Sequence, residues 1–133
     1  MRGTVLALAI TMAGAGFGAA AQETPEATIR AQIEAFGRDD FAAAFEYASP
    51  ALQGIFRTLE RFGMMVMDGY PMVWRPEELR MLGAEDVPGG VVQRIGVVGP
   101  DGAYHELDYR MRPVAGGWVI EGVRILDPME NSV

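Results

Sequence analysis

Apolar residues recur every three to four positions through the first half of the chain and every second position through most of the rest. Ile29, Ile33 and Phe36 fall at i, i+4 and i+7, the spacing of one helical face. They predict a first helix with Thr24 as N-cap, Pro25 in the first position and Gly37 at the end. Asp39 or Asp40 then caps a second helix whose apolar face is Phe41, Ala44, Phe45 and Ala48, and Ser49-Pro50 breaks it. A short helical turn over Ala51 to Phe56 is expected to bury Leu52, Ile55 and Phe56. Thr58 opens a third helix, which buries Leu59, Phe62, Met65 and Val66 and stops at Gly69.

Beyond Gly69 the period falls to two. Tyr70 to Trp74, bounded by Pro71 and Pro76, reads as a first strand, Glu78 to Ala84 as a second and Val91 to Val98 as a third. Pro88-Gly89-Gly90 and Gly99-Pro100-Asp101-Gly102 are turns. Ala103 to Val114 is the clearest strand. Ala103, His105, Leu107, Tyr109 and Met111 share one face, and Glu106, Asp108, Arg110 and Arg112 share the other. Gly116-Gly117 turns the chain into a last strand, Trp118 to Leu126, and a polar tail runs from Asp127 to Val133. Helices followed by four to five antiparallel strands make an α+β fold. Its economical form is a curved sheet packed on the helices, with a pocket between the sheet's concave face and the helical layer.

The first 21 residues do not belong to that domain. Arg2, an apolar stretch from Thr4 to Ala13 and the small residues Ala19-Ala20-Ala21 have the layout of a secretory signal cleaved before Gln22. The apolar segment is short for a membrane span. The expected organisation is a signal peptide over 1–21 and one α+β domain over 22–133, located in the periplasm or secreted, with no stable membrane insertion once the leader is gone. The chain has no cysteine, which removes disulfides, thiolate catalysis and zinc–thiolate sites. All 11 basic residues are Arg, they are scattered, and the net charge is −7, an acidic balance that argues against nucleic acid and anionic membrane surfaces as partners.

The runs AFGRDDFAAAFEYASPALQGIF, FGMMVMDGYPMVWRP, DGAYHELDYRM and GGWVIEGVRIL resemble the family labelled domain of unknown function 4864 over Ile29 to Leu126. Ala48-Ser49-Pro50 and Gly69-Tyr70-Pro71 through Trp74-Arg75-Pro76 are the most specific parts of that likeness. The wider resemblance is to the nuclear transport factor 2-like, or cystatin-like, cone fold, which hosts enzymes, binding modules and dimerisation modules alike. The resemblance therefore implies a fold and export but no reaction.

His105, the single histidine, lies on the apolar face beside Leu107 and Tyr109 and can be read as a general base, or as a histidine at the open end of the sheet. Its sequence neighbours Glu106 and Asp108 point to the opposite face, so a partner would have to come from Asp39, Asp40 or Glu46. Tyr70 and Tyr109 offer phenols. Trp74 and Arg75 can form an aromatic and guanidinium rim for a ligand, or fix a helix-to-sheet crossover in which Trp74 fills core. Met64, Met65 and Met67, with Met72 and Met81 after them, invite a copper(I) site, but packing is the simpler reading. No metal and no cofactor are expected. The favoured function is a non-catalytic module holding a small apolar or amphipathic ligand or assisting a partner, with Tyr70, Trp74, Arg75, His105 and Tyr109 as binding residues. The alternatives are an isomerase- or dehydratase-type pocket enzyme with His105 as base and Tyr109 or Tyr70 as donor, and a homodimeric interaction module that pairs through the charged face of the sheet.

Overall fold

A computed structural model describes residues 21–126; all but the last residue of the expected signal peptide over 1–21, and the tail from Asp127, lie outside the described residues. Four helices begin where local chemistry can satisfy their first N–H groups. The Thr24 hydroxyl accepts from Ala27 N ahead of α1 (Pro25–Gly37), and the Asp40 carboxylate accepts from Ala43 N ahead of α2 (Phe41–Glu46). Ser49 accepts from Leu52 N to start α3 (Pro50–Phe56), and Thr58 accepts from Arg61 N to start α4 (Leu59–Gly69).

The segment expected as a first strand is instead a short helix, α5 (Pro71–Trp74). Pro71 occupies its first position, where a missing N–H costs nothing and the fixed φ suits a helix. Met72 and Val73, adjacent in sequence, are both buried, which a strand's alternation would not permit. Arg75, ahead of Pro76, leaves the helical region at φ −138°, ψ 64°.

The remaining strands are β1 (Glu78–Val87), β2 (Gly90–Val98), β3 (Tyr104–Val114) and β4 (Gly117–Leu126), one antiparallel sheet in the order β1-β2-β3-β4. Register aligns Met81, Ile95, Leu107 and Ile125 across the four strands, and Gln93, Tyr109 and Val123 one row along. Gly89, at φ 81°, turns β1 into β2, and a Cβ on Gly90 would run into the Met111 carbonyl, so this hairpin requires glycine. One extra residue bulges β1 between Met81 and Ala84. The buried Gln93 side chain donates to Leu82 O at 3.0 Å there.

The free edge of β4 is partly covered. Gln22 bridges Trp118 antiparallel and Ala48 bridges Ile120 in parallel, with Ser49 N donating to Ile120 O and Ile120 N to Tyr47 O. Ile29, Ile33 and Phe36 of α1 pack on Ile95, Val97, Leu107, Tyr109 and Met111, and this is the main core. Each such side chain contributes about 1.5–3 kcal/mol on burial.

The helical layer departs from expectation at its rim. Ile55 is 70% exposed, Leu59 40% and Met64 59%, so Ile55, Leu59 and the methionine pair Met64 and Met67 lie outside the core, whereas Leu52 and Phe56 of the short helical turn are partly buried against it. No residue of α3 is buried. Among the described residues no helix is long and apolar enough to cross a membrane.

Candidate functional site

Between the helices and the sheet lies a cavity of about 140 Å³. Its floor is buried: Phe36 from α1, Phe62 and Val66 from α4, and Tyr109 and Ile120 from the sheet. Its rim is partly exposed and comes from Leu52 and Phe56 of α3, Met65 of α4, and Tyr70. Phe62 holds the aromatic wall together, with ring centroids 5.8 Å from Phe36, 5.0 Å from Phe45 and 5.4 Å from Phe56.

Among the described residues three polar side chains reach this lining, and none is charged. Gln32 sits within the apolar stripe of α1 and is buried. Its amide nitrogen donates to Ala44 O at 3.1 Å, which leaves its oxygen as an acceptor. Tyr70 donates to Val123 O at 3.4 Å, a long bond on the edge of β4. Tyr109 is 1% exposed, and its hydroxyl has no hydrogen-bond partner among the described residues. Burial raises its phenol above the ordinary tyrosine range, and the nearby Tyr70 adds to the rise. The group therefore stays protonated, a donor, throughout the neutral range.

Of the residues singled out in the sequence, Tyr70 and Tyr109 come together here and the others do not. Trp74 and Arg75 form a clamp with Asp39, outside the cavity lining. The indole N–H donates to Asp39 Oδ1 at 3.0 Å, and one guanidinium nitrogen of Arg75 donates to both carboxylate oxygens at 2.9 and 3.0 Å. A second Arg75 nitrogen donates to Phe36 O at 3.0 Å, and the guanidinium lies 4.7 Å from the Trp74 ring centre. The indole bond and then the Arg75 bonds hold the Asp39 carboxyl below its usual value. The rim imagined for a ligand's carboxylate thus holds the chain's own carboxylate, tying the end of α1 to α5.

His105 pairs with Val97 near the β2–β3 turn, is partly exposed and does not line the cavity, and its imidazole makes no hydrogen bond with a described residue. Among the described residues His105 has no carboxylate or phenol in hydrogen-bond reach inside the pocket, the arrangement a His105-based enzyme needs. Among the described residues no three His, Asp or Glu side chains converge on a metal site. On the outer face Asp108 pairs with Arg94 at 2.8 Å and Arg124 at 3.5 Å. Arg112 Nε stands 2.8 Å from Glu121, too misaligned for a hydrogen bond but close enough for charge pairing. These charges are satisfied within one chain, so the face offers little for a second copy to pair with.

Gln32 is the lining residue the sequence reading missed. A polar side chain three residues after Ile29 and four before Phe36, in the middle of a buried stripe, was the available signal.

A family model described as Domain of unknown function (DUF4864) matches residues 19–133. The chain is also similar to the solution structure of a SEC-C motif containing protein from Rhodopseudomonas palustris, with TM-score 0.59 and 19% identity over 78% of this chain and 80% of that one. At this identity the likeness is one of fold. No curated protein matches the chain.

Proposed function

The chain belongs to the family described as Domain of unknown function (DUF4864), and from that premise we propose that it is an exported, non-catalytic module that holds one small apolar or amphipathic ligand between its helices and its sheet. The observation that carries this reading is the cavity itself. It is lined by aromatic and aliphatic side chains with a few convergent polar groups, the usual composition of a small-molecule site. At about 140 Å³ it is close to the roughly 150 Å³ of an apolar cavity that takes up benzene, so the buried part of a ligand is one ring or a short chain. Export is supported by Arg2, the apolar run behind it and Ala19-Ala20-Ala21. The wider nuclear transport factor 2-like assignment is supported by the order of helices and antiparallel strands.

The test is native mass spectrometry of the full-length gene product purified from the periplasm of a bacterial host. The expected result is a mass beginning at Gln22 together with an adduct on the order of 100 Da, the mass of a single ring, acquired in the cell or on incubation with benzene-sized probes. A protein that stays bare in both conditions defeats the binding reading. A mass that retains Met1 in the cytoplasmic fraction defeats export.

A further inference from the structure

We infer that the cavity selects uncharged ligands carrying one oxygen on a ring-sized or short apolar body, with Tyr109 as the residue that sets this specificity. The inference rests on the cavity reading above and adds the chemical class of what enters. Among the described residues no Asp, Glu, Lys, Arg or His contributes to the lining. A carboxylate or an ammonium would therefore give up its hydration and meet no opposite charge.

A plain hydrocarbon fits the apolar walls but leaves the Tyr109 hydroxyl bare. That hydroxyl belongs to a side chain 1% exposed, fixed on β3 between Gln93 and Val123 in register, with no bond to spend elsewhere. Its oxygen is open to the cavity rather than sealed in the core, and a ligand that covers it without pairing it incurs the cost of a buried unpaired polar group. Tyr70 does not relieve it, because its own proton is directed at Val123 O. A ligand oxygen completes the set: it accepts from Tyr109 and, where it is a hydroxyl, can donate to the Gln32 oxygen left over from the bond to Ala44. Water can occupy the same position. An oxygen-bearing ligand replaces its bonds on displacing it, whereas a hydrocarbon does not.

Three probes with the same carbon skeleton separate these effects: toluene, benzyl alcohol and benzoate. Titration calorimetry on the mature protein gives the affinities, and shifts of the Val66 and Val123 methyl signals show that the probe sits in the cavity. Benzyl alcohol is expected to bind roughly tenfold tighter than toluene, the effect of one net hydrogen bond, and benzoate not to bind at neutral pH. In Tyr109→Phe, which removes only the hydroxyl, benzyl alcohol should fall to the level of toluene while toluene is unchanged or tighter. Tyr70→Phe should retain the preference. Equal binding of alcohol and hydrocarbon by the wild type, or benzoate binding as tightly as the alcohol, overturns the inference and leaves the cavity reading standing; both are read without any variant. Persistence of the preference in Tyr109→Phe removes Tyr109 from the role. Failure of all three probes, toluene included, overturns the cavity reading as well.

Discussion

Phe62 and Phe56 touch each other edge to face at 5.4 Å, yet truncating them should have very different consequences. Phe62 is 3% exposed and has two further ring partners, Phe36 and Phe45. Phe62→Ala loses about 2 kcal/mol of apolar transfer free energy, and a void term of similar size adds to it because α1 and the sheet are braced against each other and cannot close the gap. The expected loss is about 4 kcal/mol. Against a total of roughly 5–15 kcal/mol for a native domain this is a large fraction, and for a domain of about this size it corresponds to a fall in Tm of roughly 15–20 °C.

Phe56 sits on α3, an element with no buried residue, and is itself partly exposed. Phe56→Ala should cost only about 1 kcal/mol, most of it the ring pair with Phe62. Urea unfolding followed by circular dichroism measures both. If Phe62→Ala costs less than about 1.5 kcal/mol, or if the two variants are equally destabilised, the ring cluster is not the packed floor described above and the cavity's boundary has been misassigned. One further reading tests the same geometry: the new void opens into the existing cavity, so toluene should raise the Tm of Phe62→Ala more than that of the wild type.

The β1 bulge and the Asp39 clamp give two more expectations. Gln93→Leu removes the donor to Leu82 O and leaves a carbonyl unpaired at the bulge, so it should cost about 1–3 kcal/mol in urea unfolding and speed amide exchange along β1 and β2; a neutral result would mean that water replaces the amide freely. The Asp39 carboxyl is held below the ordinary aspartate value by Trp74 and Arg75, so its contribution to stability is present above the ordinary carboxylate range and is lost as pH falls through the lowered folded value. Carbon-detected NMR should place its midpoint below the ordinary aspartate value, and Asp39→Asn should flatten part of the acid limb of the stability profile; a midpoint at or above the ordinary value would show that the clamp does not form in solution.

What the sequence made legible was local. Thr24, Asp40 and Thr58 announce helix starts because the side chain that caps a helix sits beside the N–H groups it satisfies, and the alternation of Leu107, Tyr109 and Met111 places them on the buried face because the strand period is fixed at two. Tyr70 to Trp74 was misread because the four residues between Pro71 and Pro76 are too few to separate the two periods, and Pro71 starts a helix as readily as it interrupts a ladder. His105 was placed on the correct face, but its distance from the cavity depends on where along the strand the helices lie, which alternation does not encode. The Asp39–Arg75 pair spans 36 residues and had no local signal at all. Without that contact in view, Trp74 and Arg75 stood out as unused chemistry. With it, they are the bolt between α1 and α5.

The same long-range constraints account for the cavity. Residues 47–49 are stitched to Ile120 at the edge of β4 by bonds from Ser49 N and to Tyr47 O. Pro50 then starts α3 at once, so the helix departs from a point fixed on the sheet's edge and cannot sink into the core. Gln53 donates back to Phe45 O and Ala48 O, which holds α3 against the end of α2 with no residue of the helix fully buried. On the far side, Arg75 and Asp39 fix α5 to α1. The helical layer is therefore pinned at two places and spans between them, and Leu52 and Phe56 cover the gap without filling it. A void produced in this way does not come from one small side chain and is not closed by one larger one. The wall that faces solvent is the helix with the least buried surface, and elements of that kind open at the lowest free-energy cost. A site with a rigid floor in α1, α4 and β3 and a weakly held wall in α3 is suited to taking up and releasing a small molecule without unfolding its core.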